Sequence, residues 1–93
     1  MDDRGESPLQ RFIRDAQPPL WLVKLPWVSH RYRVLVVQDD KPMDITPDLV
    51  SRTQLRYDGG NEAINLSVAG DPLGALAWEF EKLFGYEPRM RVI

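Results

Sequence analysis

The sequence predicts a small α+β fold: a mostly antiparallel sheet of four to five strands, one main helix packed on one face, and a short N-terminal helix. Three observations predict it. Tyr32, Val34 and Val36 alternate with Arg31, Arg33 and Leu35, the period of a half-buried strand. Asp58-Gly59-Gly60-Asn61 separates two strand-like runs and reads as a hairpin turn, because tight turns need residues that tolerate positive φ. Asp71 to Gly85 reads as a helix with both ends marked: Asp71 and Pro72 open it and Gly85 stops it.

The elements follow in order. Residues 1–6 are polar and are expected to form a flexible N-terminus ahead of a single domain over 7–93. Ser7-Pro8 opens a short helix, with Leu9, Phe12, Ile13 and Ala16 at helical spacing and Pro18-Pro19 as its stop. So short a helix must dock to persist. Leu20 to Leu25 is an apolar run bounded by prolines and reads as a strand. Arg31 to Gln38 is the clearest strand, and Asp39-Asp40-Lys41-Pro42 is a turn. Thr46-Pro47-Asp48 signals a second cap and a helical turn over Pro47 to Arg52. Thr53 to Tyr57 and Ala63 to Ala69 are the hairpin strands. Pro88 to Ile93 is a last strand after the main helix. That helix carries an apolar stripe (Leu73, Leu76, Ala77, Phe80, Leu83, Phe84) to cover the sheet.

Composition bounds the function. Ninety-three residues with a formal net charge of -2 make one small domain with no global pull toward nucleic acid. The absence of cysteine excludes disulfides and thiolate chemistry, and a cytoplasmic setting is expected. No run approaches the ~18 apolar residues of a membrane span, and residues 1–19 have no apolar core of a signal peptide. His30 is the one histidine. Without cysteine or a zinc-binding spacing it predicts a turn residue rather than a ligand. Neither a nucleophile elbow nor a phosphate loop is present. Asp39, Asp40, Asp44 and Asp48 lack the glycine and terminal glutamate of a calcium loop. No catalytic residue, metal site or cofactor is therefore expected. Arg33 to Met43 resembles the first strand and acidic pair of response-regulator receiver domains, a family whose aspartate pair binds magnesium. That family's next element is a helix of about a dozen residues. Pro42 and Pro47 interrupt it here, and the chain is too short for repeated crossover units.

Two surfaces remain. Trp78 falls nearly opposite the centre of the apolar stripe, with Gly74, Ala75, Glu81 and Lys82 as neighbours. A glycine inside a helix costs ~1 kcal/mol against alanine, and that cost suggests packing against something. An exposed tryptophan beside small residues suits an interface anchor. Its cover is either another molecule (another protein, or a second copy in a homodimer) or the chain's own N-terminal arm or Trp27 segment. The reading is a non-enzymatic protein-binding domain: an adaptor, an inhibitor or immunity-type protein, or an assembly component. The second surface is the outer sheet face. Arg31, Arg33, Arg52, Arg56, Arg89 and Arg91 fall opposite the inward set with no carboxylate and no aromatic among them. Such a face suits phosphate or an acidic partner, so a nucleic-acid-binding module is the alternative. The competing explanation is a solvated face whose arginines pair with turn carboxylates.

Overall fold

The computed structural model describes residues 7–14, 17–67 and 70–93. The expected flexible N-terminus, and Ala16, Val68 and Ala69 at the ends of two expected elements, lie outside them. The chain runs α1 (Pro8–Arg14), β1 (Leu20–Lys24), β2 (Arg31–Gln38), β3 (Lys41–Asp44), α2 (Thr46–Ser51), β4 (Arg56–Asp58), β5 (Ala63–Asn65), α3 (Pro72–Phe84) and β6 (Met90–Val92). The fold is the expected α+β class, with a mixed sheet in the order β4-β5-β2-β1-β6 and β3 added beside β2. Among the described residues only β1 and β6 pair in parallel; the other pairs are antiparallel.

Register decides the two faces. Leu20, Leu22, Val34, Val36, Ile64 and Met90 share one face through the pairs Leu20↔Val36, Leu22↔Val34, Tyr32↔Ile64 and Leu20↔Met90. Leu9 and Phe12 of α1, Leu49 of α2, and Leu76 and Phe80 of α3 close a single core with those strands. All three helices therefore cover the same face. β5, α3 and β6 form a crossover that passes over β2 and β1, which is why α3 needs its long apolar stripe.

Local chemistry places the helices. Ser7 Oγ accepts from the Gln10 amide (3.1 Å) while Gln10 Oε1 accepts from the Ser7 amide (2.9 Å), a reciprocal capping box. Asp48 Oδ2 of α2 also accepts from the Leu9 amide at 3.3 Å. The marginal helix docks through Phe12, whose ring meets Phe80 and Phe84 edge-on at 5.8 and 6.1 Å. Asp71 caps α3 by accepting from the Gly74 amide at 3.1 Å, and Gly85 ends it in the left-handed region at φ 81°. Both ends of the main helix are those read from the sequence. Among the described residues, no helix is long and apolar enough to cross a membrane.

Three local readings are corrected. Asp39 and Asp40 (φ 52° and 60°) form a two-residue turn that continues into a strand, β3, with Val37 opposite Pro42. Pro42 hid that strand, since proline marks strand edges and turns alike. In the 59–62 loop the left-handed residue is Glu62 (φ 52°), not a glycine. The third concerns Thr46, which does not cap α2: Ile45 holds the N-cap position without a side-chain bond. β5 borders β2 only at Arg31 and Tyr32, and β3 only from Leu35 onward. Val34 falls in the gap. Ile45 donates its amide to the Val34 carbonyl at 3.0 Å, and Thr46 Oγ1 accepts from the Val34 amide at 2.8 Å. The fully buried threonine stands in for a missing strand residue.

Candidate protein-docking groove beside Trp78

Trp78 is 63% exposed, and Lys82 of the same helix approaches its ring. α1, the described part of the N-terminal arm, packs on the Phe80 and Phe84 side of α3, away from the indole, and the expected cover by residues 1–6 lies outside the described residues. Trp27, the other proposed cover, is itself exposed. The indole borders a hollow of about 230 Å³ between α3 and the base of the β4–β5 hairpin. Leu55, Leu66, Ala75 and Trp78 give it apolar walls, and Gln54, Arg56, Asn65 and Glu79 complete it. A second hollow of about 250 Å³ continues along α3, sharing Gln54 and Glu79 and reaching Arg52, Lys82 and Leu83. Helical geometry explains which neighbours of Trp78 take part. At about 100° per residue, Ala75, Lys82 and Glu79 follow Trp78 round one flank of α3. Gly74 and Glu81 fall on its other side, and neither lines either hollow.

Gly74 has a purely local explanation. A Cβ there would collide with the Asp71 carboxylate that caps the helix. The contact gives the glycine a local reason, so its cost is not by itself a sign of a docked partner, contrary to the inference from the sequence.

Glu79 is the buried charge of the groove, and sequence reasoning missed it. Its Oε1 pairs with Lys82 Nζ at 2.6 Å, and its Oε2 accepts from the Gln54 amide at 2.6 Å. Burial pushes its pKa up, but the bonds from Lys82 and the Gln54 amide outweigh burial and hold it below the ordinary glutamate value. The carboxylate thereby ties α3 to the segment that leads into β4. The same Lys82 Nζ lies 5.7 Å from the Trp78 ring centroid, a cation–π distance. The (i, i+3) spacing of Glu79 and Lys82 was a visible signal for the pair. Nothing local indicated that Gln54 would be the third member.

The six arginines do not form one field. Arg31 Nε donates to Asp58 Oδ2 at 2.7 Å, and its Nη1 donates to Asn65 Oδ1 and the Ser29 carbonyl. Arg33 donates to the carbonyls of Asn61 and Glu62 at 3.0 and 3.2 Å. Both thus brace the hairpin against β2. Asp58 also accepts from Asn61 and Gly60. The Arg31 bond, with those from Asn61, holds its pKa down to about 2. Arg91 lies over the Trp21 ring at 5.7 Å. Arg52 closes the end of α2 and Arg89 precedes β6, so neither stands within a strand. The face also carries an aromatic, against expectation. Trp21 sits on it opposite Leu35 and Arg91, beside Val23 and Val37. Arg52 and Arg56 are exposed, without a salt bridge or side-chain hydrogen bond among the described residues; Arg56 lines the hollow beside Trp78 and Arg52 the one that continues along α3.

Comparison with protein-family models, curated proteins and solved structures finds no match. His30 is an exposed turn residue in the left-handed region at φ 59°. Among the described residues no three His, Asp or Glu side chains group as metal ligands. The arrangement offers an apolar slot with charged sides, which suits recognition.

Proposed function

We propose that this chain is a non-enzymatic protein-binding domain (an adaptor, an inhibitor or immunity-type protein, or an assembly component) that docks its partner in the groove beside Trp78. One observation carries the reading: a large aromatic, 63% exposed, borders an apolar hollow. Tryptophan is among the residues most enriched at binding hot spots, and such anchors sit beside desolvated pockets. The partner is another protein or a second copy of the chain. The same reading takes the protein as cytoplasmic, on its cysteine-free composition. The nucleic-acid alternative is weakened because Arg31, Arg33 and Arg91 already have partners within the fold.

The test is Trp78→Ala. The indole is largely outside the core, so the variant keeps its circular dichroism and cooperative unfolding. Wild type captures a partner from extract after nuclease treatment, or elutes as a dimer in gel filtration, and Trp78→Ala does neither. A folded Trp78→Ala protein with unchanged capture and unchanged oligomeric state defeats the proposal.

A further inference from the structure

We infer that the segment docked in this groove is acidic, with one apolar anchor residue and a carboxylate about three residues from it. The inference rests on the protein-docking reading above. Three features of the groove lead to it.

The first is size. The hollow beside Trp78 holds about 230 Å³, below the roughly 300–1,000 Å³ of small-molecule sites. It has room for one anchoring side chain, and its walls (Leu55, Leu66, Ala75, Trp78) are apolar.

The second is charge. Among the described residues, Arg52, Arg56 and Lys82 line the two hollows with Glu79 as their carboxylate, and since Lys82 pairs with Glu79, Arg52 and Arg56 carry the excess positive charge in a protein whose net charge is -2. Glu79 is buried, and its oxygens are engaged by Lys82 and the Gln54 amide, so it presents little repulsion. Arg52 and Arg56 have guanidinium groups without partners among the described residues. A guanidinium fork matches a carboxylate with paired hydrogen bonds.

The third is spacing. The hollows follow α3 from Ala75 to Lys82. At a rise of 1.5 Å per residue that is about 10 Å, which an extended chain covers in about three residues. An anchor beside Ala75 and Trp78 thus places a carboxylate three residues along beside Arg52, whose guanidinium has no partner among the described residues. Single-stranded nucleic acid is the competing polyanion. It needs a stacking platform, whereas Lys82 sits over the Trp78 ring and the other walls are aliphatic or polar.

The experiment is selection of a random peptide library on phage against the folded protein. The enriched peptides are then measured by fluorescence anisotropy against wild type, Trp78→Ala and the exposed double variant Arg52→Glu/Arg56→Glu, beside a labelled oligo-dT probe. Peptides with an apolar residue and an Asp or Glu about three positions away are expected. Charge reversal should weaken them roughly tenfold, and oligo-dT should not compete. Enrichment of neutral or basic peptides, no enrichment, or displacement by oligo-dT overturns the inference. Neutral peptides that still require Trp78 would retain the docking groove and remove only its acidic specificity.

Discussion

Thr46→Val separates the bridging role of Thr46 from simple packing. The substitution is nearly isosteric and exchanges a hydroxyl for a methyl at a fully buried position. In the wild type, Thr46 Oγ1 accepts from the Val34 amide at 2.8 Å and faces the Val34 carbonyl at 3.4 Å. The carbonyl keeps a second donor, the Ile45 amide at 3.0 Å, but the amide has no other acceptor among the described residues. Stranding a buried amide costs about 1–3 kcal/mol. The added buried methyl returns at most about 0.8 kcal/mol. The net loss is on the order of 1–2 kcal/mol, or roughly 4–16 °C in Tm for a domain of this size. Urea unfolding gives the free energy, and hydrogen exchange at the Val34 amide gives its location. Thr46→Ser keeps the hydroxyl, so it should lose about 1 kcal/mol for the missing methyl while the Val34 amide stays slow to exchange. A Thr46→Val protein as stable as wild type, with the Val34 amide still protected, would refute the bridging argument.

Two further predictions concern the hairpin and the main helix. The Asp58 carboxyl titrates at about 2 in the folded chain, below its ordinary 3.8. Its stabilising effect is thus complete above pH ~4 and lost as pH falls from there toward 2. The urea midpoint of Asp58→Asn should therefore depend less on pH across that window than wild type does, and equal slopes would contradict the assignment. Gly74→Ala should bring none of the ~1 kcal/mol that alanine normally gains over glycine in a helix, because its Cβ displaces the Asp71 cap. Asp71→Ala alone costs about 1 kcal/mol, and in that background Gly74→Ala should become stabilising. A thermal double-mutant cycle with additive effects would show that the cap and the glycine are independent.

The same distinction between near and distant causes governs what could be read in advance. Helix α3 was legible to the residue, because Asp71, Pro72 and Gly85 act on backbone within one turn of themselves. The alternation in β2 revealed its buried face for the same reason. The site was legible only in part. Trp78 stood out because the helical period alone places it opposite the apolar stripe. Ala75 and Lys82 remain beside it in the groove, whereas Gly74 and Glu81 do not. Glu79 went unnoticed because its third partner, the Gln54 amide, lies 25 positions away.

By itself, then, the sequence determined the α+β class, the ends of the main helix, the short docked N-terminal helix and the place of Trp78 opposite the apolar stripe. Each follows from periodicity or capping, which depend on neighbours a few residues apart. Only the tertiary structure decided that β3 exists, that Thr46 completes the hydrogen bonding of β2, and that Arg31 and Arg33 brace the hairpin. It alone brought Arg56 to the hollow beside Trp78 and Arg52 to the one that continues from it. Those outcomes depend on strand order and register, which join residues distant in the chain and leave no local periodic trace.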